Sequence, residues 1–359
     1  MLLLHTQKQY MNRFILSLTL VFFAHTYLAA QQKQYKVGIV GFYNCENFYD
    51  TIDDPKTKDE DFTPNGDYHY GTAIYTDKVS RLAEVLSQIG KDVSPDGLSM
   101  FGVAEIENEK VLTDLISQPG FKGRNYKLVH YDSPDARGVD VALIYNPKYF
   151  RVLSSVPLNV PLKEDDGTPH PTRDVLWVNG IYDGDTVNVF VNHWPSRRGS
   201  EEASAPGRAL AAGVGKHVID SLMKINPETK VIFMGDLNDD PTSPSVTKVL
   251  GAKGDKEKVG KGELYNPWVR YIKSGIGTLA YNDSWNLFDQ IMVSYGYLDQ
   301  KQKGYFYNKA LIFKKDFMIQ QTGHYKDYPL RTFDGNTYQH GYSDHLPTYI
   351  IFMKEIVKK

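Results

Sequence analysis

The chain has 359 residues, of which 41% are hydrophobic and 23% are charged, as is typical of soluble globular proteins. Its formal net charge of −2 excludes a polybasic nucleic-acid-binding protein, so a polyanionic ligand would need local basic patches and a metal ion. Because Cys45 is the single cysteine, no internal disulfide can form, and a hydrophobic core must stabilise the fold.

Residues 1–30 have the layout of a secretory signal peptide. Arg13 precedes an apolar run over residues 14–24, and small residues follow at positions 29–30. The apolar run is too short to span a bilayer comfortably, so we expect a cleaved signal and no stable membrane anchor. The protein is therefore expected to be periplasmic or secreted. We also expect a monomer with a single domain over residues 31–359.

The first strand is predicted over residues 34–43, where apolar and polar residues alternate. This strand delivers Asn44 to its end. Residues 51–75 have no period and are predicted to form a loop that lies over the site. Apolar residues then recur at helical spacing, which predicts a helix with Thr76 or Asp77 as its N-cap.

A second strand is predicted over residues 100–104, an apolar run that ends at Glu105. A carboxylate at the end of a buried strand needs a partner, because an unpaired buried charge is costly. That partner is either an arginine or a hard divalent cation, which prefers oxygen ligands. Glu105 alone does not decide between them.

A run of strands follows in the middle of the chain. Two paired strands place Arg137 and Asp140 near a strand start, and the last strand of the run ends in the sequence NHWPSRRGS. A lone histidine after a strand is more often structural than catalytic, but the two arginines that follow His193 favour a loop facing phosphate. The predicted strands are 126–131, 139–145, 150–157, 175–181 and 186–192.

The sequence VIFMGDLNDD carries the strongest site signal. After a predicted helix over residues 203–225, four apolar residues run into a turn that holds Asp236 and Asn238. Open α/β sheets place their sites at the carboxyl ends of strands. Asp289 lies within a later apolar run, and Asp344 and His345 directly precede the last predicted strand.

This set of residue types fits metal-assisted hydrolysis of a phosphate ester. Carboxylate and amide oxygens can hold Mg²⁺, or alternatively Mn²⁺ or Ca²⁺, together with substrate phosphate oxygens. A histidine oriented by a carboxylate can act as general base, and His345 with Asp289 is the natural pair. The set comprises Asn44, Glu105, His193, Asp236, Asn238, Asp289, Asp344 and His345.

Six motifs together resemble the endonuclease/exonuclease/phosphatase family, whose fold is deoxyribonuclease I-like. They are NCEN, AEIEN, NHWPSRRG, MGDLNDDP, FDQIMVS and YSDHLP, in this order, and the resemblance covers nearly all of residues 37–353. It implies a four-layer α/β/β/α sandwich of two mostly antiparallel sheets. It also implies a divalent-metal phosphodiesterase or phosphomonoesterase.

The resemblance assigns roles to individual residues. Asn44 and Glu105 would hold the metal, with Asp344 as a further ligand or water-positioning residue. Asp236 and Asn238 would position water and phosphate, and His193 would stabilise the phosphate or assist the leaving group. The predicted phosphate-binding residues are Arg137, Asn192, Arg197 and Arg198. Asp140, together with Arg137, is predicted to contact His193 and hold it in position.

Three functions compete at this stage. The leading one is an exported, Mg²⁺-dependent nuclease that cleaves DNA or RNA without sequence preference. The second is a phosphatase or phospholipase C-like enzyme, acting on sphingomyelin or inositol phosphates, which would expose an apolar hairpin; residues 305–317 are aromatic enough for one, although ordinary sheet is the simpler interpretation. The third, a noncatalytic binding protein on the same fold, would tolerate loss of Glu105, Asp236 or His345, yet all three are present.

Overall fold

The structure is a computed structural model that describes Met11 and residues 33–164, 166–300 and 304–356. The predicted signal peptide thus lies outside the described residues, apart from Met11. The chain divides into one unit of residues 37–354 and another of residues 1–36 and 355–359, and the site lies in the first unit. None of the helices described has the length and apolar character needed to cross a membrane.

The described residues form strands and α-helices that we number in chain order. The strands are β1 (Tyr35–Phe48), β2 (Met100–Ile106), β3 (Lys127–His130), β4 (Asp140–Tyr145), β5 (Phe150–Leu158), β6 (Val175–Tyr182), β7 (Asp185–His193), β8 (Lys230–Asp236), β9 (Leu264–Tyr265), β10 (Leu279–Tyr281), β11 (Ser284–Asn286), β12 (Asp289–Ser294), β13 (Phe306–Ile312), β14 (Phe333–Asp334), β15 (Thr337–Tyr338) and β16 (Thr348–Glu355). The helices are α1 (Thr72–Gln88), α2 (Glu109–Ile116), α3 (Glu201–Ile225) and α4 (Val269–Lys273).

Two six-stranded sheets contain most of these strands. The first sheet has the order β13-β16-β1-β2-β4-β3, and the second has the order β5-β6-β7-β8-β12-β9. The pairs β1–β2 and β7–β8 are parallel, whereas most other pairs are antiparallel. The two strands of a parallel pair run in the same direction. Each pair therefore brings two carboxyl ends to the same edge of its sheet.

The core has three layers of apolar contacts. Residues such as Phe42 and Met234 fill the space between the two sheets. Helices α1 and α2 cover the outer face of the first sheet, and α3 covers the outer face of the second. Gly102 shows how closely the sheets approach, since a Cβ there would lie 2.7 Å from the sulfur of Met234. The predicted four-layer α/β/β/α sandwich is therefore confirmed.

Helix α1 begins four to five residues before the predicted N-cap. Its N-cap is Gly71, and no side chain caps it. The first turn is held by long-range contacts instead, because Tyr75 donates its hydroxyl to Asp114 at 2.5 Å and stacks on Phe48. Local sequence does not reveal such contacts, so the prediction of Thr76 or Asp77 as N-cap was wrong.

Two ambiguous segments have simple structural roles. Residues 306–312 of the aromatic segment 305–317 form the edge strand β13, and Tyr305, Phe306 and Tyr307 are buried, so the segment is not an exposed hairpin. Cys45 is fully buried in β1, and burial raises the pKa of its thiol to about 12. Such a thiol behaves as a small hydrophobic group.

Candidate active site

Strand ends from both sheets bring the predicted polar residues together. Asp236, at the end of β8, pairs in register with His193 of β7 on one side and with Asp289 of β12 on the other. From the opposite sheet, Asn44 of β1 donates its side-chain amide to Oδ2 of Asp236 at 2.9 Å. The carboxyl ends of the parallel strands β7 and β8 thus supply His193 and Asp236, whereas Asp289 begins the antiparallel strand β12.

His345 and Asp289 form a buried pair. The Nδ1 atom of His345 lies 2.7 Å from Oδ2 of Asp289, which also accepts a hydrogen bond from the hydroxyl of Thr278 at 2.5 Å. The Nε2 atom of His345 faces the acids, 3.9 Å from Oδ2 of Asp236 and 3.9 Å from Oδ1 of Asp344. Asp289 therefore fixes the ring so that the other nitrogen is directed into the site.

The electrostatics of the two histidines differ. Burial lowers the pKa of His345, but the carboxylates of Asp289, Asp236 and Asp344 outweigh it and hold the pKa well above its ordinary value. Burial lowers the pKa of His193 far below its ordinary value, and the cations of Arg173 and Arg137 add to the lowering. His193 is therefore a neutral hydrogen-bonding group at physiological pH.

Glu105, Asp236 and Asn44 fit a divalent cation. Glu105 Oε1 and Asp236 Oδ2 lie 3.7 and 3.8 Å from Nε2 of His193, so both carboxylates face the same small space. Burial raises the pKa of Asp236 to about 6, although His345 opposes the rise. A buried carboxylate of this kind needs a compensating cation, and the oxygen donors suit a hard metal ion.

The backbone around the site is strained at several non-glycine residues. Glu46, Asn47, Glu105 and Asn238 have φ angles between 47° and 57°, in the left-handed region. The pairing of β1 with β2 is irregular between Asn44 and Phe48, and the N–H of Asn47 donates to Oε2 of Glu105 at 2.9 Å. Such strain and bulges occur next to functional sites, where they direct side chains.

Gly235 explains the glycine of the MGDLND motif. A Cβ at this position would lie 2.3 Å from the carbonyl oxygen of Asn192 in β7. Only a glycine therefore lets β7 and β8 approach closely enough to hold His193 beside Asp236.

His193 is supported by residues that the sequence analysis did not identify. Arg173 donates from Nε to the carbonyl of His193 at 3.2 Å and from Nη2 to that of Trp194 at 2.6 Å. Asp135 holds the same guanidinium at 2.8 Å. Arg173 and Asp135 lie outside strands and helices, so no periodic signal pointed to them.

Asp140 does not contact His193, contrary to the sequence prediction. Its carboxylate lies 2.9 Å from Nε2 of His130 and accepts the N–H of Ser133 at 2.8 Å. The pairing of β3 with β4 directs it there, because His130 lies next to this strand start. Asp140 therefore stabilises the start of β4, which pairs with the segment of β2 that carries Glu105.

Asn192 is also kept from the site by its own contacts. It is fully buried, its amide donates to the carbonyl of Met234, and its oxygen accepts the indole N–H of Trp194. Both ends of the side chain are thus engaged in the core. The structure does not bring Asn192 to the position predicted for a phosphate-binding group.

The three predicted arginines lie in different settings. Arg197 donates to the carbonyl of Asn238 at 3.0 Å and pairs with Asp240 at 3.2 Å, so it holds the turn after β8. Arg198 is exposed in the following loop. The Nε of Arg137 lies 3.5 Å from Asp135, and the arginine acts on the site through its charge.

Arg331 is a further residue at the site that sequence reasoning missed. Its Nη2 donates to Oδ2 of Asp344 at 3.1 Å, and its Nε lies 3.8 Å from Oε1 of Glu46. Glu46 itself accepts two hydrogen bonds from Thr332 at 2.7 Å. Burial raises the pKa of Glu46 to about 7, and Asp344 adds to the rise.

The chain is similar to known proteins in sequence and in fold. A model described as the endonuclease/exonuclease/phosphatase family matches residues 39–354. No match is found among curated proteins. Solved structures that resemble this fold include a family member from Bacteroides thetaiotaomicron, with a TM-score of 0.53, 16% identity, and coverage of 90% of this chain and 100% of that chain.

Two further solved structures illustrate the range of the fold. A mannosyl-6-phosphatase from Bacteroides thetaiotaomicron has a TM-score of 0.51, 15% identity, and coverage of 89% of this chain and 100% of that chain. D. rerio TDP2, complexed with a single-strand DNA product, has a TM-score of 0.50, 13% identity, and coverage of 88% and 99%. At these identities the likeness shows the fold alone. The family match supports a hydrolase that acts on phosphate esters, and the chain belongs to the endonuclease/exonuclease/phosphatase family.

Proposed function

We propose that the protein is an exported, Mg²⁺-dependent phosphodiesterase, specifically an endonuclease that cleaves DNA or RNA without sequence preference. The observation that carries the proposal is the His345–Asp289 pair, whose free nitrogen faces the acids of the candidate metal site. Arg197, Arg198 and Arg331 line the adjoining cleft together with Glu201, Asp283 and Asp344, so the cleft offers arginine donors to a polyanion without a net positive charge.

The reaction needs no protein nucleophile. A water molecule attacks phosphorus while Nε2 of His345 accepts its proton, and Asp289 stabilises the resulting imidazolium. Without a cation the surrounding carboxylates raise the pKa of His345 and favour the protonated ring, so Mg²⁺ held by Asp236 and Asp344 would offset their charge and leave the ring neutral for this role. The bond from phosphorus to the leaving oxygen breaks, and that oxygen takes up a proton as the alcohol departs. His193 and the amide of Asn238 donate hydrogen bonds to the phosphate oxygens as negative charge accumulates on them.

Mg²⁺ would be held by Glu105, Asp236 and Asn44, with Asp344 as a further ligand or a water-positioning group. When bound, the ion supplies positive charge that offsets the charge developing on the phosphate. The chain's own contribution is to position the oxygen donors and to exclude bulk water from them by burial.

The fold alone does not select this substrate, because it also hosts a sugar phosphatase. A phospholipase C-like enzyme is less well supported, because residues 306–312 form an edge strand and do not supply the exposed apolar hairpin that such an enzyme would need. Small phosphomonoesters remain the main alternative substrates, and p-nitrophenyl phosphate represents them in the test below.

The proposal is tested by hydrolysis of plasmid DNA, total RNA, sphingomyelin and p-nitrophenyl phosphate, each with Mg²⁺ and with excess chelator. We expect metal-dependent cleavage of nucleic acid. The variant His345→Ala should be slower by roughly 10²- to 10⁴-fold, the usual contribution of a general base.

The matched control is His217→Ala, because His217 is exposed on α3 and lies outside the site. It should retain wild-type rates. Turnover of only sphingomyelin or the monoester, or nucleic-acid cleavage that survives both the chelator and His345→Ala, would contradict the proposal.

A further inference from the structure

A small pocket adjoins the metal-site residues on one side. Its volume is about 210 Å³, and it lies beside Glu46 and Asn47. Asn47 is bonded to Glu105, so the pocket opens next to the candidate metal site. Phe62 and Tyr68 line it, with ring centroids 4.6 Å apart and planes at 25°. Because Phe62 also stacks on Tyr49, these rings pack mainly on one another, and the pocket offers an aromatic lining next to the candidate metal site.

A larger cleft lies on the other side. Its volume is about 1010 Å³, and it extends from Asn238 and Asp344 to an aromatic wall. This wall contains Tyr281, which is 69% exposed on the β10–β11 hairpin, and the neighbouring rings of Tyr325 and Tyr328, 5.8 Å apart. The cleft has room for a longer part of a substrate than the small pocket.

Arg331 lines both cavities and marks where they meet. Its side chain is 40% exposed, with Nη2 donating to Asp344 and Nε lying near Glu46. Because Nε is shielded from solvent, a ligand in either cavity would contact the exposed part of the guanidinium. A planar guanidinium suits a phosphate oxygen.

We propose that a single-stranded nucleic acid lies across Arg331, an inference that rests on the proposed function. The nucleoside on one side of the reacting phosphate occupies the small pocket, and the nucleosides on the other side lie along the aromatic wall of the cleft. A phosphomonoester has one organic group on its phosphate, so that group would fill one cavity and the other cavity would stay empty. The site therefore favours diesters with a ring-bearing group on each side.

The aromatic rings determine the strand preference. Bases of a single strand stack on exposed aromatic side chains with little regard to sequence. In a duplex the same base faces are already stacked on each other. We therefore expect single strands to be cleaved faster than duplexes of the same length and sequence, by on the order of tenfold.

Kinetics with matched small substrates test the two subsites. The dinucleotide TpT carries a nucleoside on each side of the phosphate, whereas methyl p-nitrophenyl phosphate keeps the diester but lacks nucleosides. The variants Tyr281→Ala and Tyr68→Leu should lower kcat/KM for TpT roughly tenfold more than for the methyl ester, mainly through KM. Tyr131→Ala is the control, since Tyr131 is 39% exposed and lines neither cavity.

Arg331 is tested by graded substitution. Arg331→Ala should lower kcat/KM for TpT by on the order of tenfold or more, and Arg331→Lys should recover part of the loss because it keeps the charge without the planar fork. If Arg331 were purely structural, the loss of activity would instead be accompanied by a lower unfolding temperature. Thermal unfolding of each variant reports whether it is folded, and Tyr281→Ala, at an exposed position, keeps the test decisive if a buried variant fails.

The outcomes separate the two proposals. If wild-type protein cleaves no phosphodiester with Mg²⁺, the proposed function fails. If it cleaves TpT and the methyl ester but the tyrosine variants slow both equally, the subsites are wrong and the proposed function stands. Equal cleavage of single strands and duplexes, or faster turnover of p-nitrophenyl phosphate than of either diester, would likewise overturn this inference.

Discussion

Nδ1 of His345 lies 2.7 Å from Oδ2 of Asp289, a carboxylate with no exposure to solvent. A charged acceptor at this distance fixes both the orientation of the imidazole and the nitrogen that carries its proton. The proposed general-base role of His345 therefore depends on a residue that is buried behind the imidazole ring.

Replacing Asp289 with asparagine should lower kcat by roughly 10²-fold or more and leave KM nearly unchanged. The asparagine side chain keeps the shape but loses the negative charge that stabilises the protonated ring. Steady-state kinetics on single-stranded DNA check this. A kcat within threefold of wild type would show that Asp289 has no such role.

Metal binding can be measured without any substrate. Mg²⁺ should raise the unfolding temperature of the wild-type protein, because a ligand of the folded state stabilises it by about 2.7 kcal/mol at 100 times its Kd. Glu105→Gln should lose most of this stabilisation. Asp220→Asn, at a position on α3 where the wild-type side chain is 56% exposed, should keep it. An equal Mg²⁺ response in all three proteins would remove Glu105 from the metal site.

Gly235→Ala should damage stability and activity together. The added methyl group would meet the backbone of Asn192, and overpacking of this kind typically costs about 1–3 kcal/mol. Urea unfolding and kcat measure the two effects. Gly213→Ala on α3 is the control, since a Cβ there meets nothing within 4 Å and should stabilise the helix slightly.

Asp140→Asn should affect stability but not catalysis. The substitution removes the charge that faces His130, which should cost about 1–3 kcal/mol of the free energy of unfolding. Its kcat/KM should stay within twofold of wild type. A tenfold loss of activity with unchanged stability would instead support the role in orienting His193 that the sequence suggested.

The sequence could predict the parts of the site that are local. An apolar run that ends in a polar residue is visible without a structure, and it placed Asn44, Glu105 and Asp236 at strand ends that do converge. The layer architecture followed from the resemblance and is confirmed by the two sheets and their covering helices.

The sequence could not predict contacts that depend on strand register or on loops. Asp140 contacts His130 because β4 pairs with β3 in a particular register, and that register cannot be predicted from the sequence alone. Arg173 and Arg331 lie in segments without a period, and they reach the site only through the tertiary fold. Sequence motifs therefore cannot identify supporting residues of this kind.

The division of the site between the sheets has a consequence for biosynthesis. Asn44 and Glu105 come from the first sheet and are made early, Asp236 and Asp289 come from the second, and His345 precedes the last strand, β16. No contiguous fragment of one sheet holds the full set. A nascent chain thus lacks the complete site until nearly all of it has emerged and the two sheets have docked, so the proposed nuclease activity cannot begin during synthesis of the chain.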